Sequence, residues 1–132
     1  MYERILVPLK GDETDGAVVA HASALARMSG GKVTFLRVIH SHSRDELSFA
    51  EEQARAYLSV QVARLAADGV RAEGRAVPGE PAPSIVAEAH GTEADLIVMA
   101  THGHGEMRHV LVGSVTEDVV RSSPTPVLLV RP

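Results

Sequence analysis

Short apolar runs alternate with stretches of helical spacing along the whole chain, and that alternation restricts the fold more than any other feature. Arg4 to Leu9, with Pro8 near its end, reads as a first strand. Gly11-Asp12-Glu13-Thr14 supplies a turn and helix-cap chemistry. Ala17, Ala20, Ala24, Leu25 and Met28 then recur at helical spacing, and Gly30-Gly31 ends that helix. Lys32 to Ile39 is a second strand, rich in β-branched residues. Beyond a polar loop from His40 to Asp45, residues Leu47, Ala50, Ala54, Tyr57, Leu58, Gln61, Val62 and Leu65 mark one face of a long helix that ends near Asp68-Gly69. Val70 to Val77 alternates and predicts a third strand, less buried than the others. Pro78-Gly79-Glu80-Pro81 predicts a turn, and Pro83 to His90 a third helix closed by Gly91. Asp95 to Met99 is a fourth strand, followed by a loop, a helical stretch and the apolar run Val127 to Val130. Strands that alternate with helices imply a parallel sheet covered on both faces, doubly wound by right-handed crossovers.

Length and composition set further bounds. The 132 residues suffice for one domain, expected to span 1–132, with a sizeable core. Aromatic residues are only 3% and Trp is absent, so the core must be Val, Ile, Leu and Ala, and base stacking on single-stranded nucleic acid is disfavoured. A net charge of −4 argues against generic binding to duplex phosphates, so no nucleic-acid partner is expected. The lack of cysteine excludes disulfides, a thiol nucleophile and a cysteine zinc site. No charged-then-apolar leader is visible, and no apolar run reaches the roughly 18 residues of a membrane span. A cytoplasmic protein without membrane insertion is the expectation.

The last third carries the chemistry. Met99-Ala100-Thr101-His102-Gly103-His104-Gly105 follows the fourth strand, and Gly113-Ser114-Val115-Thr116-Glu117 opens the last helix. Glycines let backbone N–H groups approach a ligand, and a helix N-terminus favours negative charge, so a phosphate is the natural ligand. The spacing Ala100-x2-Gly103-x9-Gly113-Ser114 resembles the Gly-x2-Gly-x9-Gly-(Ser/Thr) motif of the nucleotide-binding branch of the universal stress protein (UspA-like) family. Ile5-Leu6-Val7-Pro8, Asp95 to Met99 and Pro124-Thr125-Pro126-Val127-Leu128-Leu129-Val130 extend the resemblance over the whole chain. It implies an α/β fold like that of the adenine nucleotide α-hydrolases: a single doubly wound five-stranded parallel sheet of order 3-2-1-4-5, with helices on both faces. Ligands of such sheets lie at the carboxyl ends of the strands where the order reverses. Here that point falls between the first and fourth strands, which sets Pro8-Leu9-Lys10 beside Ala100 to Gly105.

The resemblance also implies the binding residues. Gly103, flanked by His102, His104 and Gly105, would wrap the phosphates of ATP or another adenine nucleotide. Gly113, Ser114, Val115 and Thr116 would offer donors at the helix start, and the backbone of Val38 would meet the adenine. The local alternatives are that the glycines serve turns, that Ser114 to Glu117 forms a capping box, and that Val38 is ordinary strand core. Two positions depart from the family pattern. Ala100 replaces the first motif glycine and adds one methyl group. Lys10 stands where the family usually has an Asp that contacts the adenosine; it reverses the charge and cannot accept a hydrogen bond. Its ammonium either reaches a phosphate or another anion, or is simply solvated.

His102, His104, His109 and Arg108 concentrate positive potential near the proposed phosphates. As metal ligands, His102-x-His104 and His40-x-His42 lack a clear third partner, so no protein-held metal is expected. Mg²⁺ carried by the nucleotide is compatible with this arrangement, though no carboxylate here is an obvious ligand. Templates for a P-loop, a dinucleotide fingerprint and a nucleophile elbow are missing. Asp12, Glu13 and Asp15 read as helix-start acids, not as a catalytic pair. The leading expectation is a homodimeric, adenine-nucleotide-binding regulator of the stress response without efficient catalysis, paired through the edge strand Val127 to Val130. The alternatives are a nucleotide-free interaction module, its site impaired by Lys10 and Ala100, and an α-hydrolase-type enzyme, disfavoured because no catalytic groups are evident.

Overall fold

The computed structural model describes residues 1–41, 43–101 and 113–132. Among these, strands and helices alternate: β1 (Arg4–Pro8), α1 (Asp15–Ser29), β2 (Lys32–Ile39), α2 (Arg44–Ala67), β3 (Ala72–Pro78), α3 (Pro81–Gly91), β4 (Leu96–Ala100), α4 (Ser114–Ser122) and β5 (Val127–Val130). The strands form one parallel sheet in the order β3-β2-β1-β4-β5. This is the expected doubly wound α/β architecture, with the strand order reversing between β1 and β4.

Side-chain alternation along the central strands builds a core on each face. Ile5, Val7, Val33, Phe35, Leu96 and Val98 point to the side covered by α1 and α2. Leu6, Leu36, Ile97 and Met99 point to the other side, against Ile85 and Ala89 of α3 and Val119 of α4. Both faces being dry explains why β1 and β4 are continuous apolar runs. β3 is an edge strand and mostly exposed, and β5 is the opposite edge, with Val127, Leu128 and Leu129 half-buried.

Three local expectations need correction. α1 turns a different face inward: Asp15, Val18, Val19, Ala22, Ser23 and Ala26 are buried, whereas Ala20 and Ala24 are exposed and Met28 is 85% exposed. Alanines scattered around the helix carry no periodicity of their own, and the β-branched pair Val18-Val19 with the inward Asp15 sets the face. α3 starts at Pro81, inside the expected turn, because a proline in the first turn lacks only an N–H that would have no helical partner. β3 begins at Ala72, after Val70 has been drawn into the core and its N–H bonded to Leu65 O. Two helix ends show ordinary capping chemistry. Gly30 closes α1 at φ +73, its N–H donating to Ala26 O, and the Ser43 hydroxyl caps α2 by accepting from Glu46 N.

Gly74 shows where packing admits no side chain. A Cβ there would lie 2.8 Å from Cβ of the buried Leu58, pressing β3 away from α2. Gly74→Ala should therefore destabilise the protein by about 2 kcal/mol in urea denaturation. Gly16→Ala, in open space in the first turn of α1, should be neutral or stabilising by up to about 1 kcal/mol.

Candidate functional site

The carboxyl ends of β1, β2 and β4 converge at the strand-order reversal. β1 pairs β4 with Ile5 opposite Leu96 and Leu6 opposite Ile97. Continued along the strands, that register brings Leu9 alongside Ala100 and Lys10 alongside Thr101, and Lys10 Nζ lies 3.4 Å from Thr101 O. Lys10 is exposed. Leu9 is core, its N–H donating to Leu36 O, and Pro8 and Val38 are half-buried. Met99 and Ala100 are buried on opposite faces at the end of β4. Ala100 sits in regular strand paired with Val130, so its methyl group occupies ordinary core space.

A buried carboxylate organises this end of the sheet. Asp15, only 3% exposed, accepts hydrogen bonds from Lys10 N at 2.9 Å, Gly11 N at 2.7 Å and the Tyr57 hydroxyl at 2.6 Å. One side chain thus ties the β1–α1 turn to the first turn of α1 and to α2. Burial, followed by the hydrogen bond and charge of Asp15, raises the Tyr57 hydroxyl pKa well above its ordinary value, so Tyr57 stays a donor. Sequence reading took Asp15 for a helix-start acid and saw Tyr57 only on the marked face of the long helix; a carboxylate at a turn with no apolar spacing carries no signal of burial.

Arg37 was also missed. From β2 its Nη1 reaches Leu9 O at 3.3 Å, and its guanidinium packs against Gly11, where a Cβ would meet Cζ at 3.2 Å. Gly11 also adopts φ +79, so the position excludes side chains twice over. Asp12 lies beside both cations. Burial would raise its carboxyl pKa, but hydrogen bonds from the Thr14 hydroxyl and N–H, with the charges of Lys10 and Arg37, outweigh that and hold it below the ordinary 3.8.

The start of α4 overlies the end of β4. Thr116, buried, donates from Oγ1 to Ala100 O at 3.3 Å, and Val115 packs on the core of that face. The capping box, the local alternative for Ser114 to Glu117, does not form. Gly113 is the cap residue, Ser114 is the first helical residue and is exposed, and Glu117 pairs instead with Arg121 at 2.6 Å. Among the described residues, no side chain caps the first N–H groups of α4.

His102, Gly103, His104, Gly105, Arg108 and His109, together with His42, lie outside the described residues. His40 is exposed, with Nδ1 3.7 Å from Glu80 Oε1. No group of three or more potential metal ligands occurs among the described residues. Among them, too, no helix is long and apolar enough to cross a membrane. A groove of about 550 Å³ opens at the amino ends of β4 and β5, lined by Val86, His90, Glu93, Pro124 and Thr125, remote from the convergence of Lys10, Arg37 and α4.

Two predictions test the carboxylate framework. Asp15→Ala leaves three donors without their acceptor and should cost about 3 kcal/mol or more in chemical denaturation, whereas Tyr57→Phe should cost about 1 kcal/mol. Asp12, whose folded pKa is depressed, contributes stability fully above 3.8 and loses it as pH falls through the folded value. The stability gap between wild type and Asp12→Asn should therefore be constant near neutrality and close toward pH 3 in acid titrations.

Comparison with known proteins matches the fold. The family model described as the universal stress protein family matches residues 1–131. A universal stress protein of Thermus aquaticus is 35% identical over 140 residues, covering 99% of this chain and all of that protein. The solved universal stress protein UspA of Lactobacillus plantarum superposes with a TM-score of 0.86 at 27% identity, over 98% of both chains. A universal stress protein solved in complex with cAMP superposes with a TM-score of 0.78 at 27% identity, over 97% of this chain and 96% of its own. The chain belongs to the universal stress protein family.

Proposed function

We propose that this protein is a cytoplasmic, homodimeric stress-response regulator that binds an adenine nucleotide, ATP by first expectation, at the carboxyl ends of β1 and β4. The observation that carries the reading is the start of α4, without a side-chain cap among the described residues and held over Ala100 by Thr116, with Lys10 bonded to the next residue, Thr101. In this reading Gly113, Ser114, Val115 and Thr116 receive the phosphates, with any Mg²⁺ arriving on the nucleotide. Pro8, Leu9 and Lys10 flank the sugar, Val38 approaches the base, and Met99 and Ala100 form the floor. Gly103 and its neighbours His102, His104 and Gly105 join the site on the strength of the sequence motif. The similar protein solved with cAMP supports an adenine nucleotide as the ligand class.

The nucleotide acts as a stabilising or allosteric ligand. At a hundredfold excess over Kd it would add about 2.7 kcal/mol to stability. No described side chain near the site is placed as a nucleophile with an adjacent base, so ATP turnover should stay well below about 1 s⁻¹. The dimer forms through the free edge of β5, whose Val127, Leu128 and Leu129 are only half-buried in the single chain. A second reading, a nucleotide-free interaction module, is favoured by one observation: Lys10 offers no acceptor to a ribose hydroxyl.

Native mass spectrometry of freshly purified protein, with ATP added to a parallel sample, separates the two. The expected species is a dimer carrying one nucleotide per chain. A bare dimer that ignores ATP would support the interaction module, and a monodisperse monomer at micromolar concentration would refute the β5 pairing.

A further inference from the structure

Two cations stand at the nucleoside end of the proposed site with hydrogen-bonding capacity to spare. Among the described residues the Lys10 ammonium makes one hydrogen bond, at 3.4 Å to Thr101 O, and the Arg37 guanidinium makes one, at 3.3 Å to Leu9 O. An ammonium has three donors and a guanidinium five, and neither can accept. Neither cation donates a hydrogen bond to a local carboxylate, although Asp12 offsets part of their charge. Both oxygens of Asp15 are turned inward and occupied by Lys10 N, Gly11 N and the Tyr57 hydroxyl. Asp12 directs Oδ1 to the Thr14 N–H and hydroxyl. Arg37 is moreover held in place, packed against a glycine whose replacement by any larger residue would displace it.

We infer that the crevice selects a nucleotide bearing a second phosphate on its ribose, besides the phosphate on the 5′ carbon. The inference rests on the nucleotide-binding reading above. With 5′ phosphates at the start of α4 beside β4, the sugar lies over the end of β1, between Lys10 and Arg37. A bare ribose there meets two donor-only cations. A 2′- or 3′-phosphate supplies three acceptor oxygens to the same two heads, and the planar guanidinium fork binds such a group bidentately.

The test is calorimetric titration of wild type, Lys10→Asp and Arg37→Gln with AMP, ATP and adenosine 3′,5′-bisphosphate at low and moderate salt. Wild type should bind the bisphosphate at least about tenfold more tightly than AMP, the size expected of a charge-assisted hydrogen bond, with the preference shrinking as salt rises. Lys10→Asp should invert the order, and Arg37→Gln should weaken bisphosphate binding about tenfold by losing one such bond. AMP binding as tight as the bisphosphate in wild type, or an unchanged order in Lys10→Asp, overturns this inference while leaving the nucleotide site standing. Failure of all three ligands to bind wild type overturns the nucleotide reading itself, and this inference with it.

Discussion

Everything at the carboxyl end of the sheet depends on where the Asp15 carboxylate points. It is taken out of water by α1 and α2, and it is stable there because three donors meet it. The two backbone N–H groups it holds belong to Lys10 and Gly11, so the turn after β1 is pinned at its start. Pinned in that way, the turn presents the Lys10 side chain outward toward β4 and leaves the Gly11 backbone open for Arg37 to pack on. The same carboxylate fixes the rotation of α1, so that Val18, Val19, Ala22 and Ala26 fill the core while Ala20 and Ala24 face outward. A substitution at Asp15 would thus act on the site without touching a ligand.

The sheet supplies the other half of the arrangement. Because the chain winds outward from β1 in one direction and from β4 in the other, their carboxyl ends are not crossed by a connection, and a crevice is left between them. Thr116 then draws the first turn of α4 over the end of β4 through Ala100 O. The helix N-terminus brings partial positive charge to the crevice, and Lys10 and Arg37 bring full charges. Asp12, held ionised by its neighbours, offsets part of that charge. The groove at the opposite end of the sheet has His90 and Glu93 as its titratable lining groups and lacks such convergence.

The fold was legible because its two signals are strong and independent. Continuous apolar runs such as Leu96 to Met99 mark strands buried on both faces, and Gly30 and the caps punctuate the helices. The motif around Gly113 and Ser114 placed α4 correctly. What the sequence hid were interactions between residues far apart along the chain. Asp15 and Tyr57 are separated by 42 positions and Arg37 and Leu9 by 28, and nothing in their local spacing announces contact. The capping box did not form: Ser114 and Glu117 have the right spacing, but the helix starts one residue earlier than the box requires, with Gly113 as cap and Glu117 drawn to Arg121.

The most direct test of the account is a titration of the isotopically labelled protein with ATP, followed amide by amide in two-dimensional NMR spectra. The account predicts saturable shifts at Gly11, Val38, Thr101, Ser114, Val115 and Thr116, with Val86, His90, Glu93 and Thr125 unmoved. Shifts confined to that second group, or none at millimolar ATP, would contradict a nucleotide site at the carboxyl ends of β1 and β4.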